Sequence, residues 1–189
     1  MDIKPLRLHG CYEIRLTPKR DERGYFMRTF DRNIFAEHGL ITGWLQENQS
    51  MSLHKWTLRG LHFQKPPHTE TKLVRALSGV VLDVFVDLRS DSPTFGQWEA
   101  LELSADKFNY AYIPKGFAHG FCSLTENAIV HYHVDACYAS ESEGGIRWDD
   151  ETLKIDWSAH SPFVSAKDQN LPRFSDFISP FTLDNCGFG

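Results

Sequence analysis

From Lys72 onward the chain alternates short apolar runs with Gly, Pro, Ser or Asp punctuation, the pattern of strands closed by turns. "KLVRAL" and "VVLDVFVDLR" are separated by Ser78 and Gly79, a tight hairpin signal. "GQWEALELS" and "FNYAYIP" follow at similar intervals, and "GFCSLTENAIVHYHVDACY" supplies another strand pair around Glu126 and Asn127. This spacing predicts a closed antiparallel sandwich or barrel rather than alternating βαβ units. Helix signals are few: "DRNIFAEHGL" predicts a short helix from Asp31 that ends at Gly39, and a turn or two follows Ser165.

Strand periodicity also sorts side chains by face, because residues i and i+2 share one. In "AIVHYHVDACY", Tyr132 shares parity with Ala128, Val130, Val134 and Tyr138, so Tyr132 and Tyr138 are expected to look inward together. His131, His133 and Asp135 take the other face. Two imidazoles at i and i+2 could reach one metal ion. The plainer reading is a solvated outer sheet face, since no carboxylate at suitable spacing completes the set.

Composition adds limits. The 189 residues are 41% apolar and 13% aromatic, enough to bury a core unaided, and they contain no repeat, low-complexity run or linker, so one domain spanning 1–189 is expected. A net charge of −5 gives no general attraction to nucleic acid or anionic membranes, so any anionic partner is small and is held by local cations. The start "MDIKPLRLHG" has no apolar signal core, and no window approaches the roughly 18 apolar residues of a membrane span. The four cysteines form no CxxC pair and suit reduced thiols, so a cytoplasmic protein is expected.

Two stretches carry candidate chemistry. "RGLHFQ" places Arg59 and His62 in an otherwise apolar strand, and Lys72 follows ten residues later. In "IPKGFAHGF", Pro114 fixes φ, Gly116 permits a positive φ, and His119 emerges from that rigid corner. This PxGxxH pattern resembles the second motif of cupin barrels. Where the first cupin motif offers HxH, this chain has His62, Phe63 and Gln64, so one metal ligand is missing.

With "DERGYF", "QENQS", "LRGLHFQ", "GIRWDDETLKIDW" and "VSAKDQNLP" in order, the chain resembles the dTDP-4-dehydrorhamnose 3,5-epimerase family over nearly its whole length. The resemblance implies an all-β, cupin-type jelly roll with a few short helices, mostly at the C-terminal end. It implies no metal and no cofactor. The implied activity is epimerisation at C3 and C5 of a nucleotide-diphosphate 4-keto-6-deoxy hexose. Such a reaction needs a base for an acidified C–H, a donor for the enolate oxygen, and an acid on the opposite face.

By resemblance His62 is the base, Asp168 its supporting carboxylate, Lys72 the enolate stabiliser and Tyr132 the acid. Arg23 and Arg59 match diphosphate-binding positions, Gln46 and Asn48 match nucleotide contacts, and His119, Tyr138, Glu143 and Lys167 align with further substrate contacts. Arg28 stands where the family commonly has Glu, which exchanges an acceptor for donors and leaves the favoured nucleotide open. A homodimer is implied, with N-terminal strands exchanged so that Arg23 completes the neighbour's pocket. The alternatives are a single-position 3- or 5-epimerase on a related nucleotide-linked sugar, a metal cupin using His62, His119 and the "HYH" pair, and a non-catalytic sugar-nucleotide binder.

Overall fold

A computed structural model describes residues 1–187; Phe188 and Gly189, the last two of the expected 1–189 domain, lie outside the described residues. In chain order the elements are β1 (Asp2–Pro5), β2 (Tyr12–Arg15), β3 (Lys19–Asp21), β4 (Gly24–Phe26), α1 (Arg32–Glu37), β5 (Gln46–Ser52), β6 (Thr57–Gln64) and β7 (Lys72–Ser78). They continue with β8 (Val80–Asp87), β9 (Trp98–Ser104), β10 (Asn109–Ile113), β11 (Phe117–Ser123), β12 (Ala128–Val134), β13 (Glu143–Gly145), β14 (Phe163–Val164) and α2 (Ala166–Gln169). Single 3-10 turns lie at Ser140–Ser142 and Phe174–Asp176, so three of the four helical segments fall in the last third, as expected.

The strands form two facing sheets. The first runs β1-β2-β10-β7-β12-β5; the second runs β13-β6-β11-β8-β9, with β14 joined in parallel to β6. β3 and β4 make a separate hairpin. This is the antiparallel sandwich expected from the strand pattern, in the all-β jelly-roll form that the family resemblance implies.

The pairing within it differs from the local signals. Ser78–Gly79 does reverse the chain, with Gly79 at φ +71, but β7 belongs to the first sheet and β8 to the second. The turn through Asn127, at φ +52, likewise carries the chain from β11 in the second sheet to β12 in the first. A turn residue specifies that the chain reverses; which edge the next strand joins is decided by which apolar faces must be covered. Here β10 and β11 are buried along their whole length and β8 nearly so, and strands crossing between sheets satisfy that better than adjacent hairpins.

Parity then lays out the layers. Val74, Ala76, Val81, Phe85, Ala111, Phe117 and Val130 point between the sheets and form the central core. Residues of opposite parity on the second sheet, such as Leu58, Val84, Val86 and Cys122, pack under Ile146, Leu153, Trp157 and Phe181 from the C-terminal segment. On the first sheet, Leu73, Tyr110 and Tyr112 pack under Phe35, Leu40 and Trp44. Both outer faces are therefore covered by the chain's own ends.

The Asp31 carboxylate accepts from the Asn33 and Ile34 amides and caps α1, which stops at His38 before Gly39, at φ +69. No described helix is long and apolar enough to cross a membrane. All four cysteines are free thiols.

Candidate active site

Ionisable side chains interrupt the central core at one end of the sandwich, where a cavity of about 410 Å³ opens between the sheets. The second sheet contributes Arg59, His62 and His119 to its wall; the first contributes Ser50, Lys72 and Tyr132. Lys167 and Asp168 close it from the loop that ends in α2. Every strand residue in this set lies on the inward parity of its strand.

Arg59 and His62 are three apart, a spacing that alternation would send to opposite faces. β6 is irregular between them: His119 faces His62 and Phe121 faces Arg59, so three steps of β6 match two of β11. Gly60 lies inside that irregularity at φ +119, and a Cβ there would sit 2.6 Å from the Gly120 Cα. Only glycine fits this crossing.

The His62 Nε2 lies 2.7 Å from Asp168 Oδ1. Asp168 is buried and held from two further sides: the Gly60 amide donates to its Oδ2 at 3.2 Å, and the Ser165 hydroxyl, capping α2, accepts from the Asp168 amide at 3.1 Å. Burial alone would raise the Asp168 carboxyl, but the hydrogen bond and charge of His62 outweigh it and hold the group below its ordinary value. An ionised Asp168 accepts the Nε2 proton, so Nδ1 is left as the basic nitrogen of His62.

Across the cavity, burial first, and then the Glu70 carboxylate, push the Tyr132 phenol above its ordinary value of 10.0, against the opposing pull of Arg59. It is a neutral hydroxyl that carries its proton. The Lys72 ammonium lies 6.0 Å from the Tyr132 ring centroid and is anchored by a short hydrogen bond to Glu70. Lys72 is buried, so its charge acts at low dielectric. Arg59 donates to the Met51 carbonyl at 3.1 Å from the cavity rim.

His119 has its own carboxylate: its Nε2 lies 2.7 Å from Asp83 Oδ1, and both residues are buried. Burial raises the Asp83 carboxyl, partly countered by His119 and Lys72. Asp83 and Glu70 were missed by sequence reasoning. Asp83 carried a usable signal, an acidic residue between Val81 and Phe85 on the inward parity of an apolar strand.

Several expected contacts lie at the mouth or elsewhere. Glu143 pairs with Lys167 at 2.7 Å, and that hydrogen bond is the main reason its carboxyl is lowered. Tyr138 does not look inward beside Tyr132: it is 62% exposed and donates to Glu143 at 3.2 Å. Parity fails for it because β12 ends at Val134. Gln46 and Asn48 lie on the exposed edge strand β5; Asn48 is the cross-strand partner of Tyr132, and Gln46 accepts from the Tyr138 amide at 2.9 Å.

Arg23 and Arg28 are outside this chain's cavity. Arg23 sits at the β3–β4 turn, its guanidinium 84% exposed and paired with Asp21, and Arg28 pairs with Asp31 at 2.8 Å near the start of α1. Both are carried by the N-terminal cover on the far side of the first sheet. The "HYH" pair also faces away from the cavity, so His131 and His133 cannot join His62 and His119 around one ion. That removes the ligand set of the metal-cupin alternative. The outer-face reading of the pair needs two corrections: both imidazoles are largely buried, and Glu47, from the neighbouring strand, supplies the carboxylate judged missing.

A family model described as dTDP-4-dehydrorhamnose 3,5-epimerase matches residues 5–176. The chain is 44% identical to the dTDP-4-dehydrorhamnose 3,5-epimerase of Shigella flexneri over 82% of its own length and 86% of the relative's. The solved structure of the Elizabethkingia anophelis enzyme of that name superposes with a TM-score of 0.89 at 44% identity, covering 93% of this chain and 97% of that one. A Legionella pneumophila epimerase solved with dTDP-4-keto-L-rhamnose gives a TM-score of 0.90 at 37% identity, covering 95% and 97%.

Proposed function

The chain belongs to the dTDP-4-dehydrorhamnose 3,5-epimerase family, and from that premise we propose how its own residues invert C3 and C5 of a dTDP-4-keto-6-deoxy hexose. The ketone at C4 acidifies the hydrogens on both neighbouring carbons. His62 Nδ1 takes one of them, and the C–H electron pair moves to the C4 oxygen as an enolate. Lys72 stabilises that oxygen. Tyr132 then donates its phenolic proton to the same carbon from the other face, and solvent reprotonates the tyrosinate and deprotonates the imidazolium, so the enzyme is regenerated with no net redox change.

The observation that carries this reading is the origin of base and acid in opposing sheets of one cavity. A ring held between them is deprotonated from one side and reprotonated from the other. Arg59 at the rim and Lys167 at the mouth supply cations for the diphosphate, since a guanidinium fork suits adjacent phosphate oxygens. His119, Glu143 and Tyr138 are assigned to the sugar and the mouth, and Gln46 and Asn48 to the nucleotide. A homodimer is part of the proposal. Its support is Arg23 and Arg28 standing apart from this chain's cavity, together with Tyr25 and Phe26, exposed at 52% and 71% on the same hairpin.

Incubation in deuterium oxide with the dTDP-, CDP-, UDP- and GDP-linked 4-keto-6-deoxy sugars tests substrate and reaction together. Deuterium is expected at both C3 and C5 of the dTDP sugar. Exchange at one carbon alone identifies a single-position epimerase, and binding without exchange identifies a sugar-nucleotide binder.

A further inference from the structure

The outer face of the first sheet holds a cluster that the epimerisation does not use. His131 and His133 stand at i and i+2 of β12, and Glu47 on β5 is the direct cross-strand partner of His133. His133 Nε2 lies 3.2 Å from Glu47 Oε1, and His131 Nε2 lies 3.6 Å from Glu47 Oε2. The ligand atoms offered by the three residues all fall within 4.8 Å of one another. Ligands held at about 2.0–2.1 Å around a tetrahedral ion are roughly 3.3 Å apart, so the separations from the carboxylate are already those of a coordination edge.

Hydrogen bonding alone leaves this group unsatisfied. The Nδ1 atoms of both imidazoles are buried and have no hydrogen-bond partner. With the proton on Nε2 facing Glu47, each histidine buries a bare lone pair at Nδ1. With the proton on Nδ1, two Nε2 lone pairs converge on a carboxylate, an arrangement of acceptors only that a cation resolves.

We propose that Glu47, His131 and His133 bind a divalent transition metal of the zinc class, as a clamp between edge strand β5 and β12 on the face opposite the cavity. Two imidazoles and a carboxylate are the donor set such ions take, and Glu47, 65% exposed, leaves positions open to water. Trp44 packs over His133 at 5.9 Å and shields one side. Arg75, opposite His131 on β7, works against a cation, although its guanidinium lies over the Tyr110 ring at 5.3 Å. With that charge nearby and no partner on Nδ1 to orient the rings, the affinity falls well below that of a fully built structural site. The inner face of the clamped strands carries Asn48 and Tyr132, so the ion stiffens the wall that bears the proposed acid.

The test uses the full chain, stripped with chelator and dialysed, then titrated with zinc chloride by calorimetry and with cobalt chloride by visible absorption. One equivalent per chain, a cobalt d–d band, and slower amide exchange along β5 with zinc are expected. Glu47→Gln, exposed and nearly isosteric, and His133→Ala should each weaken zinc binding by more than the roughly 10–100-fold that loss of an outer-sphere partner costs. His62→Ala should leave it unchanged. No uptake by the wild-type chain, or uptake that survives Glu47→Gln and His133→Ala, overturns the proposal. Neither outcome bears on the epimerase reading, because the cluster lies outside the cavity.

Discussion

Replacing Asp168 by asparagine keeps the shape of the His62 support and removes its charge. The amide has two orientations. With its nitrogen towards His62, it donates to Nε2, so the imidazole carries its proton on Nδ1, the atom needed as base. With its oxygen towards His62, the productive tautomer survives, but the amide nitrogen then faces the Gly60 N–H that now donates to Oδ2 at 3.2 Å. Two buried donors opposed in this way cost about 1–3 kcal/mol. The two tautomers of a neutral imidazole differ by less than that, so the inactive arrangement wins and the base-competent one falls roughly 5- to 160-fold at 1.36 kcal/mol per decade.

Loss of the negative charge beside the imidazolium adds to this. The expected fall in kcat is on the order of 10²- to 10⁴-fold, or about 2.7–5.4 kcal/mol in the barrier. The assay is C3 deuterium uptake and net epimerisation of the dTDP-4-keto sugar at saturation, with dTDP affinity measured alongside. Affinity should change little, because the Arg59 side chain donates to the Met51 carbonyl and that of Lys167 pairs with Glu143, neither with the Asp168 carboxylate. A variant within about tenfold of wild type, with its melting temperature intact, would refute the carboxylate's role in setting the tautomer.

Tyr132→Phe deletes only the hydroxyl and is expected to keep washing out a C–H hydrogen while net inversion drops on the order of 10²- to 10⁴-fold; equal loss of both, read by NMR in deuterium oxide, contradicts the division of roles. Because Tyr132 is raised above its ordinary value of 10.0, any alkaline decline due to this group should set in at higher pH than an ordinary tyrosine would give, as read from a rate profile. Asp168 is lowered in the native state, so the stability it contributes is fully present above the unfolded value of about 3.9 and is lost as pH falls through the native value. Asp168→Asn should therefore flatten that part of the acid unfolding curve. Gly60→Ala would drive a Cβ to 2.6 Å from Gly120 Cα at a φ of +119, with an expected loss of about 1–3 kcal/mol. At about 2–4 °C per kcal/mol, a calorimetric scan should show a fall of roughly 2–12 °C.

What could be read from the sequence follows the range of the forces involved. Alternation alone places Tyr132 inward because the register of β12 is unbroken from Val130 to Val134, past its one irregularity at Ile129. Tyr138 was misplaced because alternation stops where the strand does, at Val134. The short helix at Asp31 was visible because a cap is a local event. The partners of Ser78 and Gly79 were not, because sheet membership is settled by burial across the whole sandwich. Asp168 lies 106 residues from His62, and Glu47 reaches the "HYH" pair only across a strand edge. No spacing rule encodes either; the first was available by resemblance alone.

The sheet-crossing turns that defeated the hairpin reading are also what make the chemistry possible. Facing sheets stand about 10 Å apart, a gap the central core fills with interdigitated apolar side chains. At the site end the inward positions are taken by Arg59, His62 and His119 on one sheet and by Ser50, Lys72 and Tyr132 on the other, while Gly120 contributes no side chain at all. Polar tips anchored to Asp168, Asp83 and Glu70 cannot close over the middle as Phe85 and Phe117 do. The cavity is a stretch of core left unfilled, and its width is the sheet spacing itself. Had β12 paired with β11 as a hairpin, Tyr132 would lie in the same sheet as His62, which β6 carries beside β11, and the proposed base and acid could not approach one ring from its two sides.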